Sequence, residues 1–141
     1  MGISKASAEW EGGLKTGKGS MKPAHAPEVP FSLATRFEGQ PGSSPEEMVG
    51  AALAGCFSMA LTVGLETAGQ KPQSIRTTAD VRLDKDGPGF SITSIELTTQ
   101  ASVPGLDAAR FQTIAEETKK NCPVSKALAG TKIVLKASLA T

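Results

Sequence analysis

The pattern of apolar and polar residues predicts six strands and three helices along the chain. Segments that alternate between apolar and polar residues are typical of half-buried strands, whereas apolar residues three and four apart are typical of helices. The predicted strands are Ala6–Trp10, Leu14–Ser20, Phe31–Glu38, Ser74–Asp84, Phe90–Val103 and Lys132–Leu139. The predicted helices are Pro45–Ala68, Ala108–Asn121 and Val124–Ala129. This order, β-β-β-α-β-β-α-α-β, predicts an α+β fold.

Glycine and proline mark the connections between these elements. Gly12-Gly13 joins the first two strands into a predicted hairpin, and the turn Lys85–Gly89 joins the fourth and fifth strands into another. Residues Pro23–Pro30 carry three prolines and the only histidine, His25, and are predicted to form an irregular connection. The chain has no internal repeat, and its 141 residues fit the usual size of one domain, so we expect a single domain over residues 1–141.

The first predicted helix is long and apolar on every side. Ser44 is its predicted N-cap, Pro45 its first residue, Glu47 completes a capping box, and Gly69 is the predicted C-terminal cap. Its middle, VGAALAGCFSMALTVGL, has no polar face. A helix that is apolar all round is buried all round, and a chain of 141 residues has few ways to surround it. We therefore expect a partner subunit to cover part of this helix.

Charge and overall hydropathy exclude several classes of function. The 15 basic and 14 acidic residues leave a net charge of +1 and are scattered, which gives no case for a nucleic-acid surface. No stretch approaches the roughly 20 apolar residues expected of a segment that spans a bilayer, and the first residues lack the apolar segment of a signal peptide. We expect a cytoplasmic protein that acts on no membrane.

The cysteine and histidine content argues against a structural metal. Two cysteines and one histidine, with no recognisable spacing, cannot form the Cys/His tetrads typical of zinc. In the cytosol, thiols are kept reduced, so a stable structural disulfide is not expected either. The two cysteines are therefore either small buried hydrophobes or redox-active groups, and no metal or organic cofactor is expected.

Cys56 lies in the most apolar part of the long helix. A cysteine in that position is ordinarily a packed small hydrophobe, and apolar surroundings raise the pKa of a thiol and make it inert. Reactivity would need a cationic neighbour, and Arg36 in the predicted third strand is the candidate. An arginine on a strand edge, however, is ordinarily a solvated surface residue.

Cys122 occupies a different local position. It follows one helix and precedes Pro123, which makes it the predicted N-cap of the next helix, where free N–H groups favour a thiolate. Local chemistry thus makes Cys122 the more acidic thiol, although it could equally be a buried capping residue. The two cysteines are 66 positions apart, so no local signal shows that they touch.

Four segments resemble the OsmC/Ohr family of bacterial proteins that reduce organic hydroperoxides, and the OsmC branch in particular. They are AEWEGGLKTGKG, TRFEGQPGSSPEEMVGAALAGCFSMAL, TTADVRLDKDGPGFSIT and NCPVSKAL, in order along nearly the whole chain. The resemblance implies an intertwined homodimer in which sheets wrap long central helices, with the N-terminal strands (residues 1–40) contributing to the dimer. It also implies a role in defence against oxidative or osmotic stress.

The resemblance assigns a role to four residues. Cys56, in the helix segment AALAGC, matches the family's peroxide-attacking cysteine, and Cys122, in NCPVS, matches the cysteine that forms a disulfide with it. Arg36, in TRFEG, matches the arginine that stabilises the thiolate and orients the peroxide. Glu46, the first acid in SPEE, matches the glutamate that holds this arginine. An external dithiol, of lipoyl type in the Ohr branch, would reduce the disulfide.

Helix geometry limits what Glu46 can do within its own chain. Glu46 and Cys56 are ten positions apart on one predicted helix, hence about 15 Å apart along its axis. As a hypothesis, Glu46 and Arg36 therefore act beside the Cys56 of a partner subunit. Two other interpretations stay open: a non-catalytic, stress-associated dimer whose cysteines only pack, and a redox sensor whose disulfide switches an interaction.

Overall fold

A computed structural model describes residues 2–140, and Met1 and Thr141 lie outside the described residues. The elements, in chain order, are β1 (Ala6–Glu11), β2 (Lys18–Pro23), β3 (Val29–Phe31), α1 (Leu33–Phe37), α2 (Pro45–Thr67), β4 (Ser74–Asp86), β5 (Gly89–Ser102), α3 (Ala108–Asn121), α4 (Pro123–Ala127) and β6 (Lys132–Leu139). The predicted α+β class is confirmed. The chain forms two compact units, one up to Met48 and the other from Val49 onwards.

The first unit is built on an antiparallel sheet in the order β1-β2-β3. Gly19 on β2 pairs with Trp10 on one side and Phe31 on the other. The two rings lie above it with their centroids 5.6 Å apart, and a Cβ on Gly19 would collide with both. Only glycine therefore allows the two rings to meet across the middle strand.

Two of the predicted strands in this unit need correction. The predicted strand Leu14–Ser20 is observed later, as β2, because Gly17 closes a turn by donating its N–H to the Gly13 carbonyl at 2.8 Å. The predicted strand Phe31–Glu38 is wrong: β3 ends at Phe31 and the residues that follow form α1. The cause is a local capping box, in which the Ser32 and Thr35 side chains each accept from the other's backbone N–H. Arg36 consequently lies on a helix.

Helix α2 begins and ends close to its predicted boundaries. The Ser44 hydroxyl accepts from the Glu47 N–H at 3.1 Å, as an N-cap does. The Glu47 carboxylate differs from the predicted capping box, since it accepts from the Ser43 hydroxyl at 3.0 Å. At the other end, Gly69 adopts a φ of +80°, which is the left-handed conformation of a C-terminal cap.

The second unit packs α2 and α3 on a sheet in the order β4-β5-β6. β4 and β5 form the predicted antiparallel hairpin, and β6 joins β5 in parallel. Every second residue of β5 is buried from Ile95 to Ala101, and every fourth residue of α2 is buried from Leu53 to Leu65. The fully buried apolar residues of these two elements are Leu53, Phe57, Leu61, Leu65, Ile95, Leu97 and Ala101. Each large side chain buried in this way stabilises the unit by about 1.5–3 kcal/mol.

The opposite face of α2 remains uncovered in the single chain. Met59 is 75% exposed and Val63 59% exposed, and the neighbouring Gly55 is exposed as well. By length and composition α2 would suffice to cross a membrane, with only 28% of its apolar window buried. The expectation that no stretch of the chain approaches the length of a membrane-spanning segment was therefore wrong. Because its buried residues form the core of the second unit, α2 has the properties of a core helix with one open face.

Candidate active site

Arg36 and Glu46 form a two-pronged ion pair within the first unit. The Arg36 Nε and Nη2 atoms each donate to one carboxylate oxygen of Glu46, both at 2.8 Å. Arg36 lies in the last turn of α1 and Glu46 in the first turn of α2. A carboxylate is favoured at that end of a helix, and a guanidinium matches both of its oxygens at once. The structure thus brings these two predicted site residues together in one chain.

The guanidinium of Arg36 borders an apolar cavity. Its central carbon lies 5.0 Å from the centroid of the Phe37 ring, a distance typical of cation–π contacts. Beside it is an open cavity of about 300 Å³. The residues that line the cavity with Arg36 are Trp10, Leu14, Phe31, Ser32, Leu33 and Phe37. This cavity offers apolar surface on one side and a fixed positive charge on the other.

Cys56 and Cys122 meet in the second unit, although 66 positions separate them. Both are free thiols, and their Sγ atoms lie 3.0 Å apart in a hydrogen bond. Cys122 is fully buried, whereas Cys56 is partly exposed. Two sulfur atoms at this distance can be joined by a disulfide with little movement of the backbone.

The chain positions Cys122 between two helices. Its backbone N–H donates to the Thr118 carbonyl at 2.9 Å and so ends α3, while its carbonyl accepts from the Lys126 N–H at 3.0 Å in α4. Cys122 is the N-cap residue of α4, with Pro123 in the first turn, as the sequence predicted. The side chain makes no capping hydrogen bond. Its sulfur is therefore available to Cys56.

The surroundings of the two thiols push their pKa values in opposite directions. Burial raises the pKa of Cys56, and the hydrogen bond and negative charge of Cys122 raise it further. Burial also opposes ionisation of Cys122, but the hydrogen bond with Cys56 and the backbone N–H groups of Ser125 and Val124 outweigh it and lower the pKa of Cys122. Within a single chain, the shared proton is thus favoured on Cys56 and the negative charge on Cys122.

Removing either thiol should shift the other in a defined direction. In Cys122→Ser, the loss of the thiolate that raises the pKa of Cys56 should move the alkylation of Cys56 to lower pH. In Cys56→Ala, the loss of the hydrogen bond with Cys56 should raise the pKa of Cys122. Rates of iodoacetamide labelling between pH 5 and about 10 would measure the shift at Cys56. The ultraviolet absorbance of the thiolate would measure the shift at Cys122, which is fully buried. Shifts in the same direction would contradict the shared proton.

One polar side chain beside the sulfurs was not predicted from the sequence. Ser125 follows Cys122 by three positions, is 7% exposed, and helps to lower the pKa of Cys122. The only feature of the sequence that could have indicated a role for Ser125 is its position, three residues after the N-cap Cys122 in the short helix α4. Among residues 2–140, no cluster of three or more His, Cys, Asp or Glu could hold a metal ion.

The chain is similar to proteins of one family. The family model for OsmC-like proteins matches residues 37–137. The chain is 49% identical over 126 residues to peroxiredoxin OsmC of Escherichia coli strain K12, which covers 88% of each protein. It is 31% identical over 93 residues to an organic hydroperoxide resistance protein of Xanthomonas axonopodis pv. citri, which covers 65% of this chain and 63% of that protein.

A solved structure has the same fold. The OsmC-like protein of Mycoplasma pneumoniae superimposes with a TM-score of 0.78 over 99% of both chains, at 14% sequence identity. At that identity the likeness concerns the fold alone. The assignment to a family rests on the sequence matches. Of the two relatives, peroxiredoxin OsmC has the higher sequence identity to this chain. The chain belongs to the OsmC-like protein family.

Proposed function

We propose that the protein is a thiol peroxidase that reduces organic hydroperoxides to alcohols. The observation that carries the proposal is the pair of reduced sulfurs 3.0 Å apart, of which only Cys56 is accessible. A peroxide arriving from solvent would meet Cys56 first, and the buried Cys122 would then form the disulfide. The names of the relatives, a peroxiredoxin and an organic hydroperoxide resistance protein, support this chemistry.

The proposed reaction has three steps. The Cys56 sulfur attacks the terminal peroxide oxygen, the O–O bond breaks, and the alkoxide takes a proton to leave as an alcohol. The Cys122 sulfur then attacks the Cys56 sulfenic acid, the S–O bond breaks, and water leaves. An external dithiol finally reduces the disulfide and is itself oxidised. Two thiols and one hydroperoxide thus give one disulfide, one alcohol and one water, and the cycle requires no metal or organic cofactor.

The proposed role of Arg36 is to supply positive charge to a Cys56 thiolate. The shared proton is favoured on Cys56, so a cation beside it is needed to place the negative charge there. Glu46 holds the Arg36 guanidinium in a fixed orientation through both carboxylate oxygens. Ten positions of α2 separate Glu46 from Cys56, about 15 Å along the axis. The pair would therefore serve the Cys56 of a partner subunit.

A second copy of the chain is the proposed occupant of the open face of α2. Met59 and Val63 are more than half exposed there, on a helix with no charged residue between Glu47 and Glu66. An uncharged apolar face of this kind is typical of a permanent subunit interface. A monomer with full activity would contradict the two-chain site.

The apolar cavity beside Arg36 favours bulky alkyl peroxides as substrates. Its aromatic and leucine side chains would contact the alkyl or aryl group of an organic hydroperoxide. Hydrogen peroxide has no such group and would gain nothing from these contacts. We expect cumene hydroperoxide to react faster than hydrogen peroxide. Comparable rate constants for the two would count against the role of the cavity.

The experiment that tests the proposal is an anaerobic thiol titration. After one equivalent of cumene hydroperoxide, both free thiols should be lost and mass spectrometry should find a Cys56–Cys122 disulfide. Cys56→Ser is the control and should keep its remaining thiol. Two unreacted thiols would overturn the proposal, and a disulfide that forms but is reduced by no dithiol would favour a redox sensor.

A further inference from the structure

Ser125 carries a buried hydroxyl without a partner. The residue is 7% exposed and lies in α4, three positions after Cys122. Among residues 2–140, its Oγ is the one buried side-chain oxygen or nitrogen that meets no hydrogen-bond partner. Burying a hydroxyl without a hydrogen bond costs free energy, so such a group is retained where another state of the protein uses it.

Other buried hydroxyls of the second unit are satisfied. Thr99, which is fully buried, lies 2.9 Å from the hydroxyl of Thr77. Thr118 donates to the Ile114 carbonyl at 2.8 Å. Ser125 is therefore an exception within its own core.

The backbone N–H group that a polar side chain at this position usually binds already has another partner. A side chain three positions after an N-cap residue commonly accepts from the backbone N–H of that residue. Here the Cys122 N–H donates to the Thr118 carbonyl at 2.9 Å, because Cys122 also ends α3. The Ser125 hydroxyl is thus free to serve the neighbouring sulfur.

The Cys122 sulfur is the group that the Ser125 hydroxyl would serve. Ser125 lowers the pKa of Cys122 through both its side chain and its backbone. The geometry falls short of a full hydrogen bond to the thiol. A thiolate is a much stronger acceptor than a thiol, so ionisation of Cys122 would complete the contact.

We propose that the Ser125 hydroxyl is the hydrogen-bond donor that stabilises the Cys122 thiolate when the disulfide forms and when it is reduced. The inference rests on the proposed peroxidase function. During formation, the Cys122 sulfur attacks the Cys56 sulfenic sulfur, the S–S bond forms, and the S–O electron pair leaves as hydroxide, which the released thiol proton converts to water. During reduction, an external dithiol attacks the Cys56 sulfur and Cys122 leaves as a thiolate, again bound by Ser125.

The first test needs no peroxide. In a Cys56→Ala background, which leaves Cys122 as the only thiol, the ultraviolet absorbance of the thiolate against pH reports the ionisation of this fully buried sulfur. Adding Ser125→Ala should shift the titration profile to higher pH. The variant should fold, because alanine is the strongest helix former and fits where serine fits. Ser125→Thr, which keeps a hydroxyl, should restore much of the profile.

A matched control removes another buried hydroxyl. Thr99→Val deletes a fully buried hydroxyl on β5 with little change in shape, so it reports the general effect of disturbing this core. It should leave the titration profile of the Cys122 thiolate unchanged. An unchanged profile in Ser125→Ala, or an equal shift in Thr99→Val, would overturn the role of Ser125.

The second test separates the two chemical steps. With both cysteines present, Ser125→Ala should slow disulfide formation about tenfold or more, the effect of one hydrogen bond to a charged group. The rate of sulfenic acid formation at Cys56, trapped with dimedone, should stay within about twofold. Equal slowing of both steps would contradict a role specific to Cys122. If the wild type forms no sulfenic acid, the peroxidase proposal fails, whereas the titration profile of the Cys122 thiolate still decides the role of Ser125.

Discussion

Replacing Cys56 by serine is expected to lower kcat/KM for cumene hydroperoxide by more than about a thousandfold, to the level of the uncatalysed reaction. Serine is similar in size but its oxygen cannot form a sulfenic acid, so the first step is lost rather than slowed. The position is partly exposed on a long helix, and the variant should remain folded. Peroxide consumption by a ferrous–xylenol orange assay would measure the loss.

Cys122→Ser is the informative companion to this variant. It should consume one equivalent of peroxide without any reductant and then stop, because the Cys56 sulfenic acid has no thiol with which to condense. Dimedone should trap that sulfenic acid in Cys122→Ser and nothing in Cys56→Ser. Thermal unfolding of both variants would check that they are folded. A Cys56→Ser variant that retained turnover, or sulfenic acid found at Cys122, would reverse the assignment of the two cysteines.

Replacing Arg36 by glutamine is expected to slow sulfenic acid formation at Cys56 about a hundredfold, a typical cost of removing one charge-stabilising donor from an active site. Without the guanidinium, burial and the hydrogen bond with Cys122 would keep the pKa of Cys56 high, opposed only in part by a backbone hydrogen bond from Val124. The pH–rate profile should therefore move to higher pH. Arg36→Lys keeps the charge but loses the two-pronged contact with Glu46, and an intermediate rate is expected.

Arg82→Gln is the matched control for Arg36. Arg82 also pairs with a carboxylate, Asp84, at 2.9 Å, but its side chain is 72% exposed and lies on β4. Exposed pairs of this kind contribute about 0–1 kcal/mol to stability, so its loss should change neither stability nor rate appreciably. A wild-type rate in Arg36→Gln would mean that the ion pair only joins α1 to α2 and that another group activates Cys56.

Local signals in the sequence determined most of the element boundaries. α3 and β6 have the predicted bounds because Asp107 caps the helix and because alternation alone defines the strand. Gly69 ends α2 within one residue of the predicted end, since its left-handed conformation is a property of glycine itself. The prediction failed where two local signals competed. Alternation in Phe31–Glu38 suggested a strand, but the capping hydrogen bonds of Ser32 begin a helix there.

The tertiary structure alone decided what could form the candidate site. Only folding brings Cys56 and Cys122, 66 positions apart, to 3.0 Å, because a sulfur–sulfur contact depends on how α2 packs against the α3–α4 junction. The contact between Arg36 and Glu46 likewise depends on the helix α1. That the Ser125 hydroxyl has no hydrogen-bond partner can be recognised only in the folded structure, where the residue is buried. The sequence by itself determined which residues carry reactive groups and where local hydrogen bonds start and stop helices. Which of those groups meet, and which ionise, depends on long-range packing and burial that no local pattern encodes.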